Sequence, residues 1–373
     1  MQSTKKTFKS IAKIILGILF IYILYIIIIL IYGTLTDFQP AEKIPIQQHI
    51  ALKNSHQNTL EKNHLKIINW NIGYFGLGQK ADFFYDVNGF FTNSGKMVRS
   101  PEKDVQSYTE GIVNFIQNHL DADFFLLQEV DSISRRSYYL NGVKLLAETA
   151  SEFHYAFAAN YKSDFVPIPL LMPWDAIGKV HSGLLTLSKY KSTETTRYQF
   201  PGAFDWPLRI FNLDRCMLVH KIPTYLGKDL ILINAHLSAY DKNGALKKQE
   251  MAYLKKYITA AYANGHYVIV GADWNQLAPN IPNDLFFPNE KDHNPGNIPS
   301  DFLPTDWTWA LDKNTPTNRK LYEIYNKEKT FQNLIDYYLV SPNIKVKKVE
   351  TIDLDFKYSD HQPVLLEIEL LEQ

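Results

Sequence analysis

Nine short apolar runs recur between Leu65 and Leu370, and this recurrence limits what the chain can become more than any other feature. LKIINWN (65–71), DFFLLQEV (123–130), GLLTLS (183–188), CMLVHKI (216–222), LILINAH (230–236), YVIVGAD (267–273), IDYYLVS (335–341), VKKVETID (346–353) and PVLLEIEL (363–370) have the length and residue types of strands. Between them, Val105, Tyr108, Ile112 and Ile116 follow helical spacing after Pro101. Leu246, Met251, Leu254 and Ile258 do the same ahead of Gly265, which is placed to act as a C-cap. Strands interleaved with amphipathic helices predict a layered α/β domain of about 300 residues, within the range of one core.

A second feature stands apart from that pattern. Residues 14–32, IILGILFIYILYIIIILIY, hold no charge, and at 1.5 Å per residue such a run crosses a bilayer core of roughly 30 Å. GTLTDFQP, which follows, has no small-residue cleavage pattern, so the run reads as an uncleaved transmembrane helix rather than a signal peptide. Lys5, Lys6, Lys9 and Lys13 precede it, and by the positive-inside rule residues 1–13 stay in the cytoplasm. The expected localisation is a single-pass cell-membrane protein with its folded domain, residues 64–373, outside the cytoplasm. Residues 33–63 are polar and proline-punctuated and read as a linker.

Composition excludes several classes. With 46% hydrophobic residues the chain is neither disordered nor collagen-like, and a single cysteine, Cys216, rules out an internal disulfide and a CxxC metal or redox site. Metal chemistry would use oxygen and imidazole ligands. The chain carries 39 Lys+Arg and 39 Asp+Glu; setting aside the four N-terminal lysines leaves 35 against 39, a body of net charge −4. Such a surface is not made for non-specific binding of nucleic acid.

The runs also end alike. Asn71 closes the first, Gln128-Glu129 the second, His236 the fifth and Asp273-Trp274-Asn275 the sixth, while Ser359-Asp360-His361 precedes the last. One carboxylate at a strand end is usually a turn or helix cap. An ordered series of carboxamides, carboxylates and imidazoles has no such explanation, because strand ends on one sheet edge can converge on one pocket.

In order, NWNIG, LQEVD, NAHL, GADWN, IDYYLVS and YSDHQPV resemble the motifs of the endonuclease/exonuclease/phosphatase superfamily, across roughly Leu65 to Leu370. The resemblance implies a DNase I-like four-layer α/β sandwich, two packed mixed sheets flanked by helices, and divalent-metal hydrolysis of a phosphoester. It implies Mg²⁺ as cofactor, with Mn²⁺ as the alternative, held chiefly by Glu129, with Asp360 able to bind or orient a second ion. Asn71 is expected beside the metal and the attacked phosphate, Gln128 either orienting the cluster or packing. Asp273 and Asn275 would align the attacking water, and His236 would donate to a non-bridging phosphate oxygen. Asp336 would hold His361 in one tautomer and support its imidazolium. Arg215 and Arg319 are weaker candidates for phosphate clamps, since guanidinium grips phosphate bidentately but no motif fixes either.

Substrate choice falls to two long insertions, Tyr161 to Gly183, containing VPIPLLMPW, and Gln276 to Lys329. A membrane tether beside an apolar loop suits a lipid headgroup or another small phosphodiester, although core packing explains the same apolarity. An extracytoplasmic nuclease is the alternative, and a membrane-anchored binding module that has lost its chemistry is the competing class. No protein partner is inferred.

Overall fold

In the computed structural model, all residues are described except 1, 52–58, 89–92, 240, 242–243, 287–293 and 373, with backbone alone for 2–6, 87–88 and 93–94. The chain begins with α1 (Gln2–Leu35). Its stretch from Thr7 to Leu35 is long and apolar enough to cross a membrane, and only 6% of its most apolar window is buried. Such exposure separates α1 from the core helices of the domain.

The domain is built from β1 (Lys43–Pro45), β2 (His64–Asn71), α2 (Glu102–Gln117), β3 (Phe124–Asp131), α3 (Gly142–Thr149), β4 (His154–Val166), β5 (Gly178–Ser188), β6 (Glu194–Gln199), β7 (Cys216–Pro223), β8 (Asp229–His236), α4 (Ala245–Ala263), β9 (Tyr267–Asp273), β10 (Thr308–Ala310), β11 (Asp336–Val340), β12 (Ile344–Thr351) and β13 (Val364–Leu370). One sheet runs β12-β13-β2-β3-β5-β4 and the other β1-β6-β7-β8-β9-β11-β10. All nine strand-like runs lie on strands of these two sheets. Only β2 with β3 and β8 with β9 pair in parallel, so each sheet carries one parallel pair near its centre.

Side-chain alternation explains the layers. Ile67, Phe124, Leu126, Leu232, Ile269, Tyr338 and Leu366 point inward from the two sheets and form one core between them. The opposite face of the first sheet packs on α2 and α3 through Trp70, Phe125, Ile112, Phe115 and Leu146. The opposite face of the second packs on Met251, Leu254 and Ile258 of α4. The result is the four-layer sandwich expected from the motifs. Between the sheets runs a buried polar seam: Gln128 Nε2 donates to the side-chain oxygens of Asn69 and Asn234, both at 2.8 Å. Asn69 Nδ2 in turn donates to the carbonyl of Ala272 at 3.2 Å. Gln128 thus ties the sheets together below the site and is fully buried there.

α2 begins after Pro101 with Glu102 and Asp104 in its first turn, where acidic groups suit the positive end of the helix dipole. α4 ends as expected: Gly265 has φ +82°, its N–H bonds Tyr262 O, and His266 N–H bonds Ala261 O, the paired bonds of a Schellman motif.

Two linker and loop expectations need correction. Lys43–Pro45, inside the stretch read as a tether, adds an edge strand to β6, where Pro45 is tolerated because an edge N–H is not required. His49 stacks on Tyr155 at 4.5 Å, and Leu60 is buried, so this stretch is docked on either side of residues 52–58, which lie outside the described residues. Tyr161 to Gly183 is largely the end of β4 and the start of β5, and only 167–177 is loop. Gln276 to Lys329 contains 287–293, likewise outside the described residues.

Candidate active site

Strand direction brings the polar strand ends together. The parallel pairs put Asn71 beside Gln128 and His236 beside Asp273 in register. β11 runs antiparallel to β9 and sets Asp336 opposite Asp273, while β13 starts opposite Asn69 and leaves His361 just beyond the same edge. Residues separated by up to 290 positions therefore share one end of the sandwich.

Asn71 is the hub. Its amide nitrogen lies 2.9 Å from Asp273 Oδ2, 3.3 Å from Glu129 Oε1 and 3.5 Å from His361 Nε2, and its oxygen accepts from Gly73 N–H at 3.0 Å. The glycine of NWNIG follows from its backbone angle and its neighbours. Gly73 has φ +53°, and a Cβ there would come within 2.7 Å of Asp360 Oδ1. Asp273 Oδ1 accepts from Asn275 N–H at 3.0 Å, and its Oδ2 also faces His236 Nε2 at 3.3 Å. Asn275 holds φ +49° and donates its side-chain amide to Leu237 O at 3.0 Å, which fixes the turn after β9.

His361 Nδ1 donates to Asp336 Oδ2 at 2.8 Å, and Asp336 is pinned by its own N–H on Thr317 Oγ1 at 3.0 Å. Burial works against the His361 imidazolium, but the carboxylates of Asp336, Asp273 and Asp360 outweigh it and raise the pKa to about 10. The site therefore favours a proton on both ring nitrogens. Asn318 stands 3.0 Å from Nε2; a protonated Nε2 needs the amide oxygen there, a half-turn away from the nitrogen. His236 behaves oppositely. Burial, then the positive charges of Arg215 and His361, hold its pKa well below the usual value, so it is neutral, and its buried Nδ1 has no partner among the described residues.

Glu129 and Asp360 form the acidic side. β3 bulges between Leu127 and Val130, and Glu129 takes φ +52° in that bulge, which turns its side chain out of the strand's alternation. Arg136 walls this side. It grips Asp131 through Nε at 3.2 Å and Nη2 at 2.9 Å and lies 3.7 Å over the Tyr74 ring. Asp360 is buried, and burial raises its carboxyl to about 7; His361 opposes the rise and the charge of Glu129 adds to it. A buried carboxyl facing another acid is costly to ionise without a cation, and the donors present are hard oxygens with no thiolate. The set fits Mg²⁺ or Mn²⁺. Asp273, Asp336 and His361 also bring one ligand atom each within 4.8 Å of one another. In that trio, however, Asp336 already receives the His361 N–H, which makes it an imidazole-orienting pair before it is a metal cage.

The two arginines separate. Arg319 Nη2 donates to Gly78 O at 2.8 Å and Ala81 O at 3.1 Å, and Nη1 to Lys320 O and Glu323 O. Its two terminal nitrogens are taken by backbone carbonyls and its buried Nε has no partner among the described residues, so the phosphate-clamp expectation for Arg319 is replaced by a loop-bracing role. Arg215 has a buried Nη1 without a partner among the described residues and acts electrostatically on His236. Asn318 was missed by the sequence reading, since it lies in the 276–329 insertion and reaches His361 through a bridge to the strand end that no local pattern signals.

A two-sheet sandwich with acids, carboxamides and a paired histidine at one edge defines the class of DNase I-like phosphoesterase folds. The profile of the Endonuclease/Exonuclease/phosphatase family matches residues 68–361, and the chain belongs to that family. Among solved structures, an endonuclease/exonuclease/phosphatase from Beutenbergia cavernae is similar at 14% identity and TM-score 0.53, over 83% of this chain and 72% of that one. One from Bacteroides vulgatus is similar at 15% identity and TM-score 0.50, over 83% and 100%. TDP2 of D. rerio, solved with a single-strand DNA product, is similar at 14% identity and TM-score 0.50, over 82% and 99%. At these identities the likeness is one of fold. No curated protein sequence matches the chain.

Proposed function

We propose that the chain is a membrane-anchored, divalent-metal-dependent phosphodiesterase acting on a lipid headgroup or another small phosphodiester. The observation that carries this reading is the convergence on Asn71 of Glu129, Asp273 and His361, two acids and a braced imidazole from four separate chain segments. Residues 1–13 are cytoplasmic, 14–32 span the bilayer, 33–63 connect, and 64–373 form the extracytoplasmic catalytic domain.

Glu129 and Asp360 would hold the cation, which when bound would offset charge on the phosphate oxygens. Asn71 holds the carboxylates of Glu129 and Asp273 on one amide, which would fix both beside the bound substrate. Asp273, fixed by Asn71 and by the Asn275 N–H, aligns and polarises the attacking water for in-line displacement. His361, kept cationic by Asp336, sets its positive charge beside the phosphate oxygen on which charge grows. His236 shares its Nε2 edge with Asp273, and Arg215, whose buried Nη1 has no partner among the described residues, adds positive charge near it.

Two features favour a small or lipid diester over a long nucleic acid: the body of net charge −4 and the apolar helix α1. The full chain in lipid nanodiscs should be assayed on sphingomyelin and phospholipid vesicles, soluble inositol phosphates, plasmid DNA and RNA at equal Mg²⁺. Fastest turnover is expected on a lipid or small diester. A nucleic-acid rate higher by orders of magnitude would make the chain a nuclease, and inertness on the whole panel would make it a binding module.

A further inference from the structure

The VPIPLLMPW segment is neither core nor free loop. Leu171 is 79% exposed and Trp174 73%, with Leu170 and Met172 also exposed, and Trp206 and Leu208, on another turn that meets α1, are exposed as well. Despite that exposure the segment is held in shape. Arg135 donates to Ala176 O at 2.7 Å and Trp174 O at 3.0 Å, and Arg99 pairs with Asp175 at 3.1 Å. A fixed loop that displays large apolar side chains to water is a contact surface waiting for an apolar neighbour.

Its surroundings name that neighbour. The β4–β5 hairpin lies along α1: the Tyr32 hydroxyl donates to Asp164 Oδ2 at 3.5 Å, and the Tyr22 hydroxyl to Leu170 O at 3.4 Å. Trp206 Nε1 donates to Thr34 Oγ1 at 3.1 Å, and Gly33 closes against Ile210 and Phe211. Ten residues separate Tyr32 from Tyr22, about 15 Å of helix, so the hairpin tip follows α1 well into its apolar run. Polarity grades along the same axis. Beside Tyr32 to Phe38 stand Asp164, Lys162 over Phe38, and Arg209 paired with Asp37; beside Tyr22 stand the leucines. Charged groups and the Trp206 indole at the helix exit and aliphatic groups further in are the order of a bilayer interface and its interior.

We propose that the tip of the β4–β5 hairpin, with the 206–208 turn, inserts into the bilayer beside α1, attaching the catalytic domain to the membrane at a second place. The occupant of this apolar surface is lipid. The hairpin leaves its sheet past the pairing of Asp131 with Ser182, the same edge that carries Glu129, so insertion turns the candidate active site toward the membrane surface. This deepens the lipid-diester reading and rests on α1 being a membrane span, but not on catalysis.

The test uses the full chain reconstituted in phosphatidylcholine vesicles. A single environment-sensitive fluorophore is placed at Leu171→Cys, at Ile28→Cys in α1, or at Tyr225→Cys on the β7–β8 turn at the opposite end of the sandwich. All three positions are exposed, and Cys216 is fully buried and escapes labelling. Spin-labelled lipids with the quencher on the acyl chain report depth. Severalfold quenching at Leu171 and Ile28, with none at Tyr225, is the expected result. Quenching at Ile28 without quenching at Leu171 would overturn the proposal while leaving the anchor intact. No quenching at either would overturn both, and neither outcome bears on whether the chain hydrolyses phosphodiesters.

Discussion

At the scale of single residues, the site couples each acid to a partner that fixes its direction, and substitutions should expose those couplings. Asp336→Asn keeps the shape but removes the charge that holds His361 cationic, so turnover should fall roughly 10²- to 10⁴-fold with little change in KM. Steady-state kinetics, with circular dichroism to confirm the fold, checks this; an unchanged kcat would remove the pair from the mechanism. Arg319→Ala should act differently. Four backbone carbonyls lose a charged donor, and a cost of about 1–3 kcal/mol in stability is expected from unsatisfied buried groups. A melting-temperature loss with kcat preserved is the predicted outcome, and the reverse would restore Arg319 as a phosphate clamp. The sequence named most of the residues that meet at this edge, because each ends an apolar run. It did not reveal Asn318, whose contact with His361 depends on how a long insertion folds back, nor that Arg319 would be consumed by carbonyls.

At the scale of elements, the strands legible in sequence are those with a buried face rich in β-branched and aromatic residues. β4, HYAFAANYKSDFV, escaped notice although it has 13 residues. It is an edge strand whose buried positions are His154, Ala156, Ala158 and Asn160 and whose half-buried ones include Tyr155 and Phe157, so its alternation carries little hydrophobic contrast. β6, ETTRYQ, is polar for a related reason, since Arg197 is buried by bonding Ala159 O and Asp214 O rather than by apolar packing. Neighbouring β7 yields a pH prediction. Burial lowers the His220 pKa to about 3, with its Nδ1 on Ser192 Oγ at 3.1 Å. The folded value lies below the unfolded value of about 6.5, so the stability it contributes is complete above pH 6.5 and is lost as pH falls toward 3. Denaturant unfolding between pH 6 and 4 should lose about 1.4 kcal/mol per pH unit for this group, and His220→Gln should flatten the slope. An equal slope in both proteins would place the acid sensitivity elsewhere.

At the scale of the whole molecule, one apolar helix and one polar sheet edge are related through the hairpin that joins them in space. The proposed orientation rests on the four N-terminal lysines: protease added to intact cells should remove the domain, whereas protection until the cells are permeabilised would reverse the topology. The chemistry has a more direct test, because the central claim is that the edge gathered around Asn71 is a metal-dependent phosphodiester centre. Hydrolysis of bis(p-nitrophenyl) phosphate by the detergent-solubilised full chain should be followed with Mg²⁺, with chelator, and with Mg²⁺ restored, in the native chain and in Glu129→Gln. The account predicts activity that chelator abolishes, that Mg²⁺ restores, and that Glu129→Gln recovers only at much higher Mg²⁺. Activity indifferent to chelator, or a Glu129→Gln chain with native Mg²⁺ dependence, would contradict it.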